Sequence, residues 1–106
     1  MTRRTFKKEP EYQSYLKNEV LPKRLPGCTV QKLLAPPQGI PDLAVFYKGK
    51  YAWLEVKKSE ADYLKDFTPN QHDYISWANN DGAFAAFIYP ENEEEVLNAL
   101  EQSFGP

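Results

Sequence analysis

The sequence predicts an α/β domain of the α+β kind, with elements in the order α-β-β-β-α-β-α, and three observations predict it. Two β-rich runs flank Lys48-Gly49, the signature of a tight hairpin. Apolar residues recur at helical spacing in an early segment and again in the last one. Between them, a proline-bearing helix start at Thr68-Pro69-Asn70-Gln71 leads to a continuous apolar run at residues 83–89.

Taken in order, residues 1–10 are polar and basic and read as a frayed lead-in. In residues 11–25, Tyr12, Tyr15, Leu16 and Val20 mark one helical face, and Pro22 is expected to end the helix. Pro26-Gly27 is a turn, residues 29–34 a short strand, and Ala35-Pro36-Pro37-Gln38-Gly39 a rigid loop. Residues 42–47 and 51–56 form the hairpin. Residues 59–67 fit no single pattern. Thr68 then serves as N-cap, Pro69 as the first helical residue and Gln71 as the third. That helix carries Tyr74, Ile75, Trp77 and Ala78 and stops at Asp81-Gly82. Residues 83–89 read as a buried strand. Asn92 with Glu95 is expected to cap a last helix packed through Val96, Leu97, Leu100 and Phe104, with Glu93, Glu94 and Glu95 suited to its dipole.

At 106 residues the chain reads as one domain, with 42% hydrophobic and 26% charged residues. No apolar run approaches the roughly 18 residues of a membrane span, and the basic start leads into no signal-peptide core. Cys28 is the single cysteine, which excludes an intrachain disulfide, argues against a structural zinc site and suits a reducing cytoplasm. The net charge of −2 hides an asymmetry. Residues 1–65 hold 13 basic against 7 acidic side chains, a net +6; residues 66–106 hold 8 acids and no Lys or Arg. One half can therefore offer a basic face to nucleic acid.

The constellation with chemistry is Gly39-Ile40-Pro41-Asp42, twelve intervening residues, then Glu55-Val56-Lys57. Side chains alternate along a strand, so Glu55 and Lys57 share a face. With a two-residue turn, Tyr47 pairs with Lys50, and counting back sets Asp42 opposite Glu55. Two facing acids repel, which suits a magnesium or manganese site better than a structural pair. A one-residue slip would send Asp42 to the other face. The same spacing also fits solvent-facing charges on an edge strand.

Gly39-Ile40-Pro41-Asp42 with Leu54-Glu55-Val56-Lys57-Lys58-Ser59 resembles the paired motif of the PD-(D/E)xK nucleases. Small stand-alone VRR-NUC domains and archaeal-type Holliday-junction resolvases are the most similar groups. The resemblance implies a restriction-endonuclease-like core of α-β-β-β-α-β order with a mixed central sheet and, here, an extra C-terminal helix. It implies Mg²⁺ or Mn²⁺ held by Asp42, Glu55 and the Val56 carbonyl, with Lys57 assisting catalysis. It further assigns a metal-reaching acid on the first helix to Glu11, with Glu9 and Glu19 as alternatives, and a site-facing glutamine to Gln71. A capping box equally explains Gln71.

His72 has no nucleophile partner in the sequence and reads as a surface histidine. Phe46, Tyr51 and Trp53 share the face of Glu55; they either stack on splayed bases or pack on the first helix, and packing is the expectation. Lys58, Ser59, Arg3, Arg4, Lys7 and Lys8 are candidates for phosphate contacts. The function expected is metal-dependent endonucleolytic cleavage of DNA, selective for branched or Holliday-junction substrates, by a cytoplasmic homodimer in a bacterial or phage-infected cell. The alternatives are a catalytically inactive DNA-binding module of the same fold, or a partner-binding protein that uses its acidic C-terminal helix.

Overall fold

The computed structural model describes residues 5–33, 42–65, 75–76, 79 and 83–105. The loop expected at Ala35 to Gly39, the helix start at Thr68 and the stop at Asp81-Gly82 lie outside them, as do Arg3, Arg4, Gln71 and His72.

The first helical segment begins earlier and runs further than its periodicity suggests. Helix α1 spans Glu9–Tyr15, a π turn follows at Leu16–Val20, and α2 spans Leu21–Arg24. Pro22 therefore does not end the helix. A proline lacks an N–H and presses its ring on the carbonyl four residues back. That residue, Asn18, lies inside the π turn, where the wider i→i−5 spacing opens the coil. The chain leaves at Gly27, whose φ of +89° only glycine adopts freely, and the Cys28 amide closes on the Leu25 carbonyl at 3.0 Å. The lead-in is anchored too: the Phe6 ring lies 4.8 Å from Tyr12 and 5.4 Å from Tyr15.

Strands β1 (Thr29–Lys32), β2 (Leu43–Tyr47), β3 (Lys50–Val56) and β4 (Phe84–Ile88) form one sheet in that order. The first two pairings are antiparallel and β3–β4 is parallel, so the sheet is mixed and the class is α+β. Helix α3 covers Glu60–Lys65, where the sequence shows no clear pattern; the Ser59 hydroxyl accepts the Asp62 amide at 3.1 Å and starts it. A 3₁₀ turn at Pro90–Asn92 leads into α4 (Glu93–Phe104).

The sheet has two dissimilar faces. Leu43, Val45, Ala52, Leu54, Val56 and Ile88 form the main core with Tyr12, Leu16 and Leu21 of the first helical segment and Leu97, Leu100 and Phe104 of α4. The opposite face carries Ala44, Phe46, Tyr51, Trp53 and Glu55; there Ala85, Trp53 and Phe87 pack with Ile75, and Tyr63 of α3 lies 5.1 Å from the Phe87 ring. Two ties draw α4 to the first helical segment. The Tyr12 hydroxyl donates to Glu93 at 2.8 Å, and Arg24 reaches Glu94, Asn98 and Glu101.

Two expectations are corrected here. Strand β4 is the last strand among those described rather than a fully buried one, with Phe84, Ala86 and Phe87 half-buried. Asn79 shields its edge: the side-chain amide donates to the Ala85 carbonyl and accepts the Ala85 N–H, replacing a neighbouring strand. Asn92 does not cap α4 with Glu95. Its side chain turns back to Tyr89 N and Phe87 O and holds the 3₁₀ turn instead. Among the described residues no helix is long and apolar enough to cross a membrane.

The turn that joins β2 to β3 has positive φ at both central residues, 50° at Lys48 and 79° at Gly49. This is the type I′ geometry whose twist matches antiparallel strands. Gly49→Ala should lower stability by about 1 kcal/mol, and Lys48→Asn should raise it by a few tenths to about 1 kcal/mol, because asparagine tolerates the left-handed region better than lysine. Urea denaturation of the two variants measures both.

Candidate active site

The hairpin register is the one counted from the turn. Tyr47 pairs with Lys50, Phe46 with Tyr51, Ala44 with Trp53 and Leu43 with Leu54. The next step brings Asp42 to Glu55, beyond the last strand pair. There the backbone ladder gives way to two reciprocal bonds. The Asp42 amide donates to Glu55 Oε1 at 3.1 Å, and the Val56 amide donates to Asp42 Oδ2 at 3.0 Å. Each carboxylate is thus held by the strand opposite it. The Leu33 amide donates to the Asp42 carbonyl at 2.9 Å and ties β1 to the same point.

Glu55 is 2% exposed and Lys57 5%, both far more buried than is usual for charged residues. Burial pushes the Glu55 carboxyl up to about 9; the charge of Asp42 and its hydrogen bond add to the rise, and Lys57 opposes it. An ionised Glu55 would bring a negative charge into the buried part of the site beside Asp42. A proton or a cation offsets that charge.

The other predicted residues divide. Val56 is buried beside the pair. Lys58 forms an ion pair with Asp62, and Ser59 caps α3, so both serve the start of that helix. Lys7 and Lys8 are exposed before α1. Glu11 is exposed and lines a groove on α1 with Ser14, Tyr15, Asn18 and Glu19. Among the described residues no three His, Cys, Asp or Glu side chains converge as a metal group.

Two features escaped the sequence. Gln13 is 5% exposed and its Oε1 is buried without a hydrogen-bond donor. Its only signal is that it lies three residues before Leu16 on the same stripe. Phe46 and Tyr51 do not pack on the first helix, which covers the other face; they stand 46% and 49% exposed on the face of Glu55.

Compared with protein-family models, curated proteins and solved structures, the chain matches none.

The raised Glu55 carboxyl has a thermodynamic consequence. The folded protein keeps a proton that the unfolded chain loses near pH 4.5, so unfolding releases a proton between there and about pH 9. Stability of the metal-free protein should therefore fall as pH rises through that window. Melting temperatures taken across it should decline in the parent and stay flatter in Glu55→Gln. Parallel profiles would remove the linkage.

Proposed function

We propose that the chain is a metal-dependent endonuclease with a PD-(D/E)xK-type core, hydrolysing phosphodiester bonds in DNA. The observation that carries this reading is the Asp42–Glu55 pair, held face to face by backbone amides, with Lys57 one same-face step beyond. A structural ion pair has no use for the second acid. The donor set consists of oxygens, as magnesium and manganese prefer, and its excess negative charge fits a divalent cation.

Asp42, Glu55 and the Val56 carbonyl would hold that ion. When bound, such a cation lowers the pKa of a water and offsets charge developing on the phosphate. The chain's own residues do the rest. The amides of Asp42 and Val56 fix the two carboxylates before substrate arrives, so little reorganisation is needed. Lys57, largely shielded from water, offers a positive charge stronger than an exposed lysine to the water or a phosphoryl oxygen. Lys7 and Lys8, with Arg3 and Arg4, would position the backbone without reading sequence.

Contacts from lysines to phosphates position a backbone without reading bases, which favours recognition of substrate shape, as in branched DNA. Two symmetric cuts in a junction would need two copies, hence a homodimer in the cytoplasm. Light scattering on four-way DNA should show two chains per junction.

A panel of single-stranded, duplex, flap and four-way DNA with Mg²⁺ or Mn²⁺ tests the activity. Asp42→Ala, Glu55→Ala and Lys57→Ala should each reduce cleavage by about 100-fold or more while the fold survives. Cleavage by either carboxylate variant at the parent's rate would overturn the assignment. Full DNA retention with no cleavage by the parent would favour an inactive binding module instead.

A further inference from the structure

The paired rings of Phe46 and Tyr51 lie on the face of the sheet that bears Asp42 and Glu55, and we infer that they form a stacking platform for unpaired nucleobases beside the scissile phosphate. This rests on the nuclease reading and, among branched substrates, favours those with unpaired bases next to the cut.

Three observations point to a nucleobase. The first is chemistry and exposure. Two aromatic side chains, directly paired across β2 and β3, are about half exposed in a protein whose other described aromatic rings are more covered. Tyr51 meets Trp53 edge-on, at 5.8 Å and 74°. Thr29 and Gln31 of β1 are exposed on the same face: Thr29 is the register partner of Phe46, and Gln31 that of Ala44. Rings bordered by hydroxyl and amide groups suit a base, which offers a π face and a polar edge.

Spacing is the second. Same-face pairs along the hairpin run Phe46–Tyr51, Ala44–Trp53, Asp42–Glu55, each step roughly 7 Å from the next. That is twice the ~3.4 Å rise of bases stacked within a duplex strand. A splayed strand laid along β3 fits this repeat, with one phosphate at the carboxylates and a base about two positions away on the rings. The exposed Lys48 stands at the turn end of the track, where it suits a polyanion, and the buried Lys57 lies beyond Glu55 at the other end.

The third is size. An aromatic side chain carries about 150–250 Å² of surface, so two half-exposed rings present roughly 200 Å². A stable contact with a second copy of the chain needs about 800 Å² on each partner. The platform matches one or two bases and falls well short of a subunit interface.

The test is binding in EDTA, where no cleavage is needed. Probes are a short fluorescein-labelled oligothymidylate, an abasic oligomer of equal length, and a blunt hairpin duplex. The parent should bind the oligothymidylate more tightly than the abasic strand. The Phe46→Thr, Tyr51→Thr double variant keeps the β-propensity of both sites. It should lose about 10-fold or more of that affinity, stop distinguishing base from abasic strand, and bind duplex as the parent does. Tyr51→Phe should retain the parent's binding. If the double variant fails to fold by circular dichroism, each single threonine variant must show a partial loss of the same kind. Unchanged oligothymidylate affinity in the variants overturns the platform, as does light scattering that shows a dimeric parent and a monomeric variant of equal affinity. A parent that cleaves DNA while binding independently of the rings keeps the nuclease and loses the platform. Ring-dependent binding without cleavage does the reverse.

Discussion

Because side chains alternate along a strand, the two left-handed residues at Lys48 and Gly49 decide far more than the shape of a turn. A third residue in that turn would set Asp42 against Val56 and exchange the faces of one strand relative to the other. The core pairs Val45–Ala52 and Leu43–Leu54 would then compete with Phe46 and Trp53 for the same side. Core packing and the acid pair consequently depend on one register. The apolar face stabilises it, and the polar face would be meaningless in any other.

The acid pair opposes the fold that creates it. Glu55 is removed from water beside Asp42, which pushes its carboxyl up, and the charge of Lys57 opposes that rise only in part. Two amide donors soften the cost by fixing the carboxylates where the strand ladder would otherwise continue. Stability for such a site must come from elsewhere. It comes from the opposite face, where the first helical segment and α4 close over Leu43, Leu54 and Val56, clasped together by Tyr12 with Glu93 and Arg24 with three residues of α4. The acidic residues of α4 are thereby partly spoken for, which weakens the case for that helix as a partner surface.

The two faces divide the labour between packing and chemistry. One is sealed by two helical layers. Among the described residues, the other is covered over β3 and β4 by Tyr63 and Ile75, while Thr29, Gln31 and Phe46 on the β1–β2 side are exposed. An open sheet face leading to a charged pair is a surface along which an extended ligand can lie. The proposed cleavage and the proposed base stacking both use this asymmetry.

Much of this was legible in the residues alone. Local rules determined the hairpin, its turn, the pairing of Asp42 with Glu55 and the stripe of α4, because turn chemistry and side-chain periodicity act over neighbouring residues. The tertiary structure decided what depends on distant neighbours. Pro22 reads as a stop, yet the π turn before it lets the helix continue. Asn92 reads as a cap, yet its side chain is drawn to Tyr89 and Phe87. Phe46 and Tyr51 read as core, yet the first helix settles on the other face, where Leu43, Val45 and Leu54 offer it a continuous apolar surface. Gln13 reads as a solvated polar residue, yet helical rotation buries it beside Tyr12 while Glu11 is exposed. Sequence spacing specifies which residues share a face; which face is covered, and by what, depends on the competition between surfaces for the same apolar area.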